Sequence, residues 1–442
     1  MSDPLATGFA PASLQQWEAL VRAKAGADAP LTTTIEQGVE VKWLYTATDA
    51  LGRDPGGFPG AAPFVRGTRV GEPWAIRQEI GAQTRTAANV QILEDLEGGA
   101  TDVLLRTDPD GAAGIPVGGV EELDELLTGV QLDLAPVALE AGQDAVRVAA
   151  LLCELWRRRG HAPAEVRGSL RLDPIGTLAR LGAGAEQLEG ALTDAVAVLA
   201  GVRAEFPLVQ ALAADTTAYV DAGADATFEL ALALATGIAY LRAGELAEIA
   251  PEVVAAGLEF TLVAGPDQFL EIAKLRAVRR LWATVLQHCG VSLAERRSPV
   301  YVRTSWRMIS ALDPWNNLLR ATTAAFAAGV GGADGVTVLP FDEPVDEPGP
   351  LGRRMARNTQ LVLIEEAFLG RVADPGGGSW YVESLTDQLA QSAWSMLQEL
   401  EREGGIIPAV ASGKVAERLE AATADRHQAH ARRKRVLTGV NT

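Results

Sequence analysis

Residues 64–106, FVRGTRVGEPWAIRQEIGAQTRTAANVQILEDLEGGATDVLLR, hold two short apolar runs, 74–80 and 101–106, with a helical pattern between them. Thr84 or Thr86 supplies the N-cap, Val90, Leu93 and Leu96 recur at helical spacing, and Gly98-Gly99 ends the helix. Strand, helix, strand of this length is one βα unit of a parallel sheet, because parallel neighbours need a crossover. The same rhythm runs eight times. The candidate strands are 74–80, 101–106, 132–139, 166–172, 209–214, 258–263, 300–305 and 336–341, each followed by a helical segment. Eight such units predict a (β/α)8 barrel. An open doubly wound sheet would want a Gly-rich phosphate turn after an early strand. The nearest match, GAGAEQ at 182–187, fails at its last position.

Working outward, residues 267–288 form the clearest barrel helix, with Leu275, Val278, Trp282 and Val285 in a stripe and Lys274, Arg276, Arg279 and Arg280 opposite. The segment 230–241 is apolar nearly all round and is expected to be buried on two sides. Ahead of the barrel, 13–25 reads as a capped amphipathic helix with Leu14, Trp17, Leu20 and Val21 on one face. Residues 31–46 alternate as a hairpin does, and the Gly/Pro-rich 49–62 reads as a covering loop. After the barrel, 384–403 is a helix lined by Leu385, Leu389, Ala393, Met396 and Leu400. Residues 410–435 grow more charged and end in RRKR at 432–435, a solvated helix end. The organisation expected is therefore an N-terminal helical extension (1–62), the barrel (63–370) and a C-terminal helical linker region (371–442).

Composition bounds the function. Across 442 residues, 57 acidic against 39 basic side chains leave a net charge of −18, which argues against nucleic acid or anionic membrane as a partner. No apolar run is read as long enough to span a bilayer, and residues 1–10 lack the features of a secretory signal, so the cytoplasm is the expected compartment. Cys153 and Cys289 sit in aliphatic helical contexts and are expected to be buried, reduced thiols. His161, His288, His427 and His430 are scattered, and no Cys–His cluster has zinc spacing. Neither a P-loop nor a Gly-x-Ser-x-Gly elbow occurs. The carboxylate neighbours Glu365-Glu366 and Asp342-Glu343 do not share a helix face, which weighs against paired acid–base work. Asp173, Asp215, Arg303 and Asp342 lie near strand ends, where barrel enzymes put their chemistry. They form either a polar cluster or salt bridges that pack a closed mouth.

Several long stretches resemble the methylmalonyl-CoA mutase family. The strongest is 355–389, MARNTQLVLIEEAFLGRVADPGGGSWYVESLTDQL, and 271–283 (EIAKLRAVRRLWA), 313–321 (DPWNNLLRA) and PWAIRQ at 73–78 match comparably. Ala222-Gly223-Ala224 with the apolar helix after it, and Thr438-Gly439-Val440-Asn441, are similar too. The departures fall on the family's active site. Where the catalytic chains carry Thr-Met-Tyr ahead of the first strand, this chain has Arg69-Val70-Gly71-Glu72. Their fourth-strand Thr-Ile-Gln-Asn-Asp is Ser169-Leu170-Arg171-Leu172-Asp173, and the histidine before Ala-Gly-Ala is replaced within Ala218-Tyr219-Val220-Asp221. The His-x-Gln of the seventh strand is missing from Arg303-Thr304-Ser305-Trp306.

The resemblance implies a small, non-catalytic subunit of a heterodimeric mutase, with no catalytic, cofactor-binding or metal-binding residues of its own. Adenosylcobalamin would then sit in the large catalytic partner, which isomerises methylmalonyl-CoA and succinyl-CoA in propionate metabolism. Asp425-Arg426-His427-Gln428-Ala429-His430 is similar to the family's cobalt-ligating Asp-x-His-x-x-Gly, but His430 stands where the glycine belongs. In the catalytic chains small polar residues line the barrel so that the pantetheine arm threads it. Here Leu170, Arg171, Leu172, Phe260 and Leu262 offer bulk, and alternate ones are expected to point inward and fill the axis. The helix at 13–25, with Trp17, Trp43 and Tyr45, is expected to reach across the partner. A catalytic large chain working with a separate cobalamin protein, and an unrelated enzyme on a recycled barrel, are the alternatives.

Overall fold

The computed structural model describes residues 12–52, 56–69, 71–82, 84–108, 114–182 and 184–442. The chain opens with α1 (Leu14–Ala25) and an antiparallel hairpin, β1 (Thr32–Glu36) and β2 (Val39–Lys42). Eight parallel strands then close into a barrel: β3 (Ala75–Ile80), β4 (Asp102–Arg106), β5 (Val137–Glu140), β6 (Gly168–Leu172), β7 (Val209–Asp215), β8 (Leu258–Ala264), β9 (Val300–Thr304) and β10 (Gly335–Thr337). They pair in chain order, and β10 closes on β3. The crossovers are α2 (Arg85–Glu97), α3 (Val120–Leu126), α4 (Ala145–Arg158), α5 (Pro174–Ala179) with α6 (Ala185–Glu205), and α7 (Thr217–Asp221) with α8 (Ala226–Leu246) and α9 (Pro251–Ala256). Then come α10 (Gln268–His288), α11 (Asn316–Val330) and α12 (Pro350–Leu361). The chain finishes with α13 (Trp380–Arg402), α14 (Ile406–Ala411) and α15 (Lys414–Ala431).

All eight candidate strands are barrel strands, most with trimmed ends and two, β7 and β8, one residue longer than expected. The run 132–139 yields only Val137–Glu140, because Pro136 lacks a backbone donor and 132–134 turn instead. The run 336–341 contributes only Gly335–Thr337. Thr84 is the cap of α2, its Oγ1 accepting from Ala87 N at 3.2 Å. The stripe expected on that helix is corrected at one end. Leu93 and Leu96 pack half-buried against the core, but Val90 is 51% exposed. The fully buried positions are Ala88, Ile92 and Asp95, which keep to the helical repeat where steps of three drift off it.

The α10 stripe is buried as expected, yet its cationic face is buried as well. Lys274 meets Glu229 and Glu271, each at 2.6 Å. Arg276 holds Asp374 and, at 2.6 Å, Glu383 of α13. Arg279 donates to the carbonyls of Phe64, Val65, Gly331 and Gly332. These bonds satisfy the guanidiniums and fasten the segment before β3 and helix α13 to the barrel wall.

Helix α8 is buried almost throughout, as its composition predicts. By length and composition it could cross a membrane, contrary to the reading that no apolar run was long enough, but it is buried between the barrel strands and helices α10 and α13. Cys153 is buried, whereas Cys289 is exposed at the end of α10 and corrects the expectation of two buried thiols. The hairpin docks through Glu36, whose carboxylate accepts from Ala226 N at the start of α8 at 2.9 Å, and through Glu40 N, which donates to Gln388 of α13. Helix α1 has its Ser13–Gln16 capping box but buries no residue.

Candidate functional site at the barrel mouth

The barrel axis is filled, by Arg171 as expected but not by Phe260 or Leu262. Phe260 packs edge-on against Trp282 of α10, 5.1 Å between ring centres, so it points out toward the helices, and Leu262, two residues on, shares that side. The inward side of β8 is Glu259 and Thr261. Glu259 lies between two guanidiniums, Arg171 of β6 at 2.5 Å and Arg77 of β3 at 3.4 Å. Arg77 also pairs with Asp102 at 2.9 Å and lies over the Tyr301 ring, 3.5 Å from its centre. Arg171 adds Thr261 at 2.7 Å and Asp215 at 2.6 Å. Glu259 has no exposed surface, and Arg77, Asp102 and Arg171 are buried with it.

Local backbone makes this possible. Arg171 has φ +48°, rare for a residue with a Cβ, and the β6–β7 register shifts between Ser169 and Leu172. A bulge of this kind re-aims a side chain, here into the axis.

Above this layer, toward the carboxyl ends of the strands, charges alternate around the mouth. Glu79 pairs with Arg106 at 3.1 Å and with Arg303 at 3.0 Å. An inner cavity of about 160 Å3 is lined by Arg106, Glu140, Arg171, Asp215, Tyr301 and Arg303. It lies beside an outer one of about 580 Å3 that adds Asp173 and Thr177, with Arg180 lining both. Of the strand-end residues singled out in the sequence, Asp173, Asp215 and Arg303 come together here. Asp342 does not line these cavities; it accepts from Gly349 N at 3.2 Å ahead of α12. Its neighbour Glu343 faces Glu79, Arg303 and Arg106 and lines a third, smaller cavity with Glu79. Glu365 and Glu366 are exposed.

Burial, then the charge of Asp215, pushes the Asp173 carboxyl up to about 6. Its Oδ1 caps α5 at Gly176 N and accepts from Tyr240. Burial would raise Asp215 also, but the Arg171 charge and bonds from Thr217 outweigh it and hold the carboxyl below its ordinary value. Burial and Glu79 push Glu343 up to about 7. Asp173 and Glu343 are thus pushed toward neutrality, yet among the described residues no histidine or cysteine lines either main cavity. The arrangement compensates charge rather than aligning a nucleophile with a base.

Sequence reasoning missed Arg77, Glu79, Asp102, Arg106, Glu140 and Glu259. The available signal was charge at alternate positions inside otherwise apolar strands, as in AIRQEI and LEFTLVA.

Comparison with known proteins decides the family. The sequence profile of methylmalonyl-CoA mutase matches residues 34–442. The chain belongs to the methylmalonyl-CoA mutase family. It is 44% identical to the methylmalonyl-CoA mutase small subunit of Streptomyces virginiae, over 99% of this chain and 71% of that protein. It is 36% identical to the small subunit of Propionibacterium freudenreichii subsp. shermanii, over 99% of this chain and 69% of that protein. Against the Streptomyces virginiae large subunit, identity is 30% over 93% of this chain and 59% of that protein.

The departures from the mutase pattern now have positions. Arg171 occupies the axis, Ser169 is buried beside it in β6, and Ala218 lines the inner cavity in the segment that carries the family's histidine. Tyr219 beside it is buried, its hydroxyl without a partner among the described residues. Arg69 donates to the carbonyls of Glu72 and Ala333, at the amino-terminal end of the barrel; Val70 lies outside the described residues. His427 and His430 both lie in α15, and His427 is exposed on that unbroken helix. Within the family-like stretches, Arg357 pairs with buried Asp95, and Asn317 bonds Ser310 and the Phe341 carbonyl. These are packing roles.

Proposed function

We propose that this chain is the small, non-catalytic subunit of a heterodimeric, cytoplasmic methylmalonyl-CoA mutase. A homologous large chain would bind adenosylcobalamin and interconvert methylmalonyl-CoA and succinyl-CoA. The observation that carries the reading is the occupied axis: Arg77, Glu259 and Arg171 cross the barrel where a catalytic chain threads pantetheine. A side chain in that ring cannot step aside without leaving a buried charge uncompensated. The higher identity to small subunits than to a large subunit of the same organism supports the assignment.

For cobalamin the residues do not fit. His427 projects from the C-terminal part of α15, with His430 three residues on still helical, and offers none of the turn that a glycine at that place gives the family's motif. No catalytic, cofactor or metal role is therefore assigned to any residue of this chain.

Residues 1–62 serve in this proposal as the contact with the partner, 63–370 as the barrel and 371–442 as a helical segment packed beside it. Leu14, Leu20 and Trp43 are exposed, and no residue of α1 is buried, which suits an arm that finds its apolar surface on another chain. The test is co-purification with the large chain and an activity assay with and without this one. Activity should require the large chain and cobalamin, and this chain alone should give neither turnover nor a one-equivalent cobalamin spectral shift. Deleting residues 1–31 should weaken the association while the barrel stays folded. Turnover by this chain supplied only with a cobalamin-binding protein would refute the proposal.

A further inference from the structure

Positive charge gathers on the rim of the mouth with no carboxylate among the described residues at salt-bridge distance. The turn between α7 and α8, Ala222, Gly223 and Ala224, is gripped by α15. Thr423 Oγ1 donates to Ala222 O at 2.7 Å, and Arg426 Nη2 to Gly223 O at 3.0 Å. The approach requires glycine: Gly223 has φ +129°, and a Cβ there would lie 2.5 Å from Leu419 O. The next carbonyl, Ala224 O, accepts from Arg307 Nη1 at 3.1 Å, after β9. Two guanidiniums from distant parts of the chain are thus pinned by consecutive carbonyls.

Among the described residues, neither has a carboxylate at salt-bridge distance, nor does Arg435, whose charge acts on both. Glu36 of β1, Asp225 ahead of α8, Asp221 of α7, Glu229 and Glu271 act on them only at longer range. Burial, then Arg307 and Arg435, pushes Arg426 down to about 10. Half-buried guanidiniums that keep spare N–H donors and meet no carboxylate directly are suited to an external anion that completes them.

We propose that Arg307, Arg426 and Arg435 form a binding site for a small oxyanion, a phosphate ester or a carboxylate, on the rim of the barrel mouth. The guanidinium fork matches either group, and the two anchored arginines are pre-oriented by the turn. The proposal does not depend on the subunit reading.

The test titrates inorganic phosphate or acetate into the full chain by calorimetry, with ionic strength held constant by chloride. One saturable site is expected, weakened about tenfold or more in Arg426→Gln or Arg307→Gln. It should be unchanged in Arg158→Gln on the outer face of α4. Exposed Arg435→Gln, which leaves the turn contacts intact, should weaken binding several-fold and serves if the anchored variants fail to fold. Tighter phosphate binding assigns a phosphate ester, and acetate binding as tight or tighter assigns a carboxylate. No saturable binding of either anion, or binding equal in all the arginine variants, overturns the site.

Discussion

The two faces of β8 are equally buried and held by opposite means. Phe260 and Leu262 face the helices and belong to one contiguous aliphatic core that runs through the barrel wall. Glu259 and Thr261 face the axis and meet Arg77 and Arg171. The outward face is stabilised by area and close packing, which depend on volume and are indifferent to which neighbour supplies a methyl. The inward face is stabilised by charge compensation, which fails as a unit when one member is lost. Burial alone therefore does not say what a strand residue contributes.

The largest expected effect separates the two faces directly. Glu259→Ala should cost about 3–5 kcal/mol in equilibrium denaturation, since it takes a shared carboxylate from two buried guanidiniums and leaves Arg77 only Asp102 and Arg171 only Asp215. Near-isosteric changes sharpen the contrast. Glu259→Gln should still cost several kcal/mol, while Leu262→Met, which conserves volume on the other face, should cost under about 1.5 kcal/mol. If the glutamine variant is as mild as the methionine one, the axis is not held by charge.

A second contrast lies on α2. Ile92→Ala should cost about 2–5 kcal/mol. Val90→Ala, on the exposed side, should stay within about 0.5 kcal/mol. Equal losses in thermal melts would return Val90 to the core.

That pair of residues also marks how far the sequence could be read. Strand positions and crossovers were legible because outward-facing aliphatic residues recur with the period of each element, and Gly or Pro punctuates them. The capped start of α1 was legible on the same local grounds, whereas Ala222–Ala224 stood out only by its resemblance to the family. The face of α2 was not, because its buried repeat includes Asp95, a charged residue held by Arg357. The same blindness hid the axis. Arg77, Asp102 and Glu259 look like solvated residues until the barrel closes and brings strands far apart in sequence together. Asp215 and Arg303 were found only because strand ends are where barrels place polar groups. Arg171 was seen as bulk rather than charge, and the bulge that turns it inward leaves no motif.

The hairpin contact gives a smaller, pH-dependent effect. Burial and Asp225 raise the Glu36 carboxyl from 4.5 to about 7. Docking therefore favours its protonated form. The stability it lends is complete below about pH 4.5, is lost as pH rises through 7, and is absent above that. Glu36→Gln should remove the slope and strengthen hairpin docking above pH 7, by about 3 kcal/mol at most. Hydrogen exchange in β1 and β2 measured against pH would read it. A hairpin whose protection rises with pH between 5 and 8 would contradict the assignment.

The central claim is that the axis is closed by its charges, so that this chain does not take the arm of coenzyme A. Equilibrium binding of coenzyme A to the purified chain tests it most directly. The account predicts no saturable binding up to about millimolar ligand. One-site binding in the micromolar range, weakened by bulky substitution of Thr261 in the axis, would contradict it.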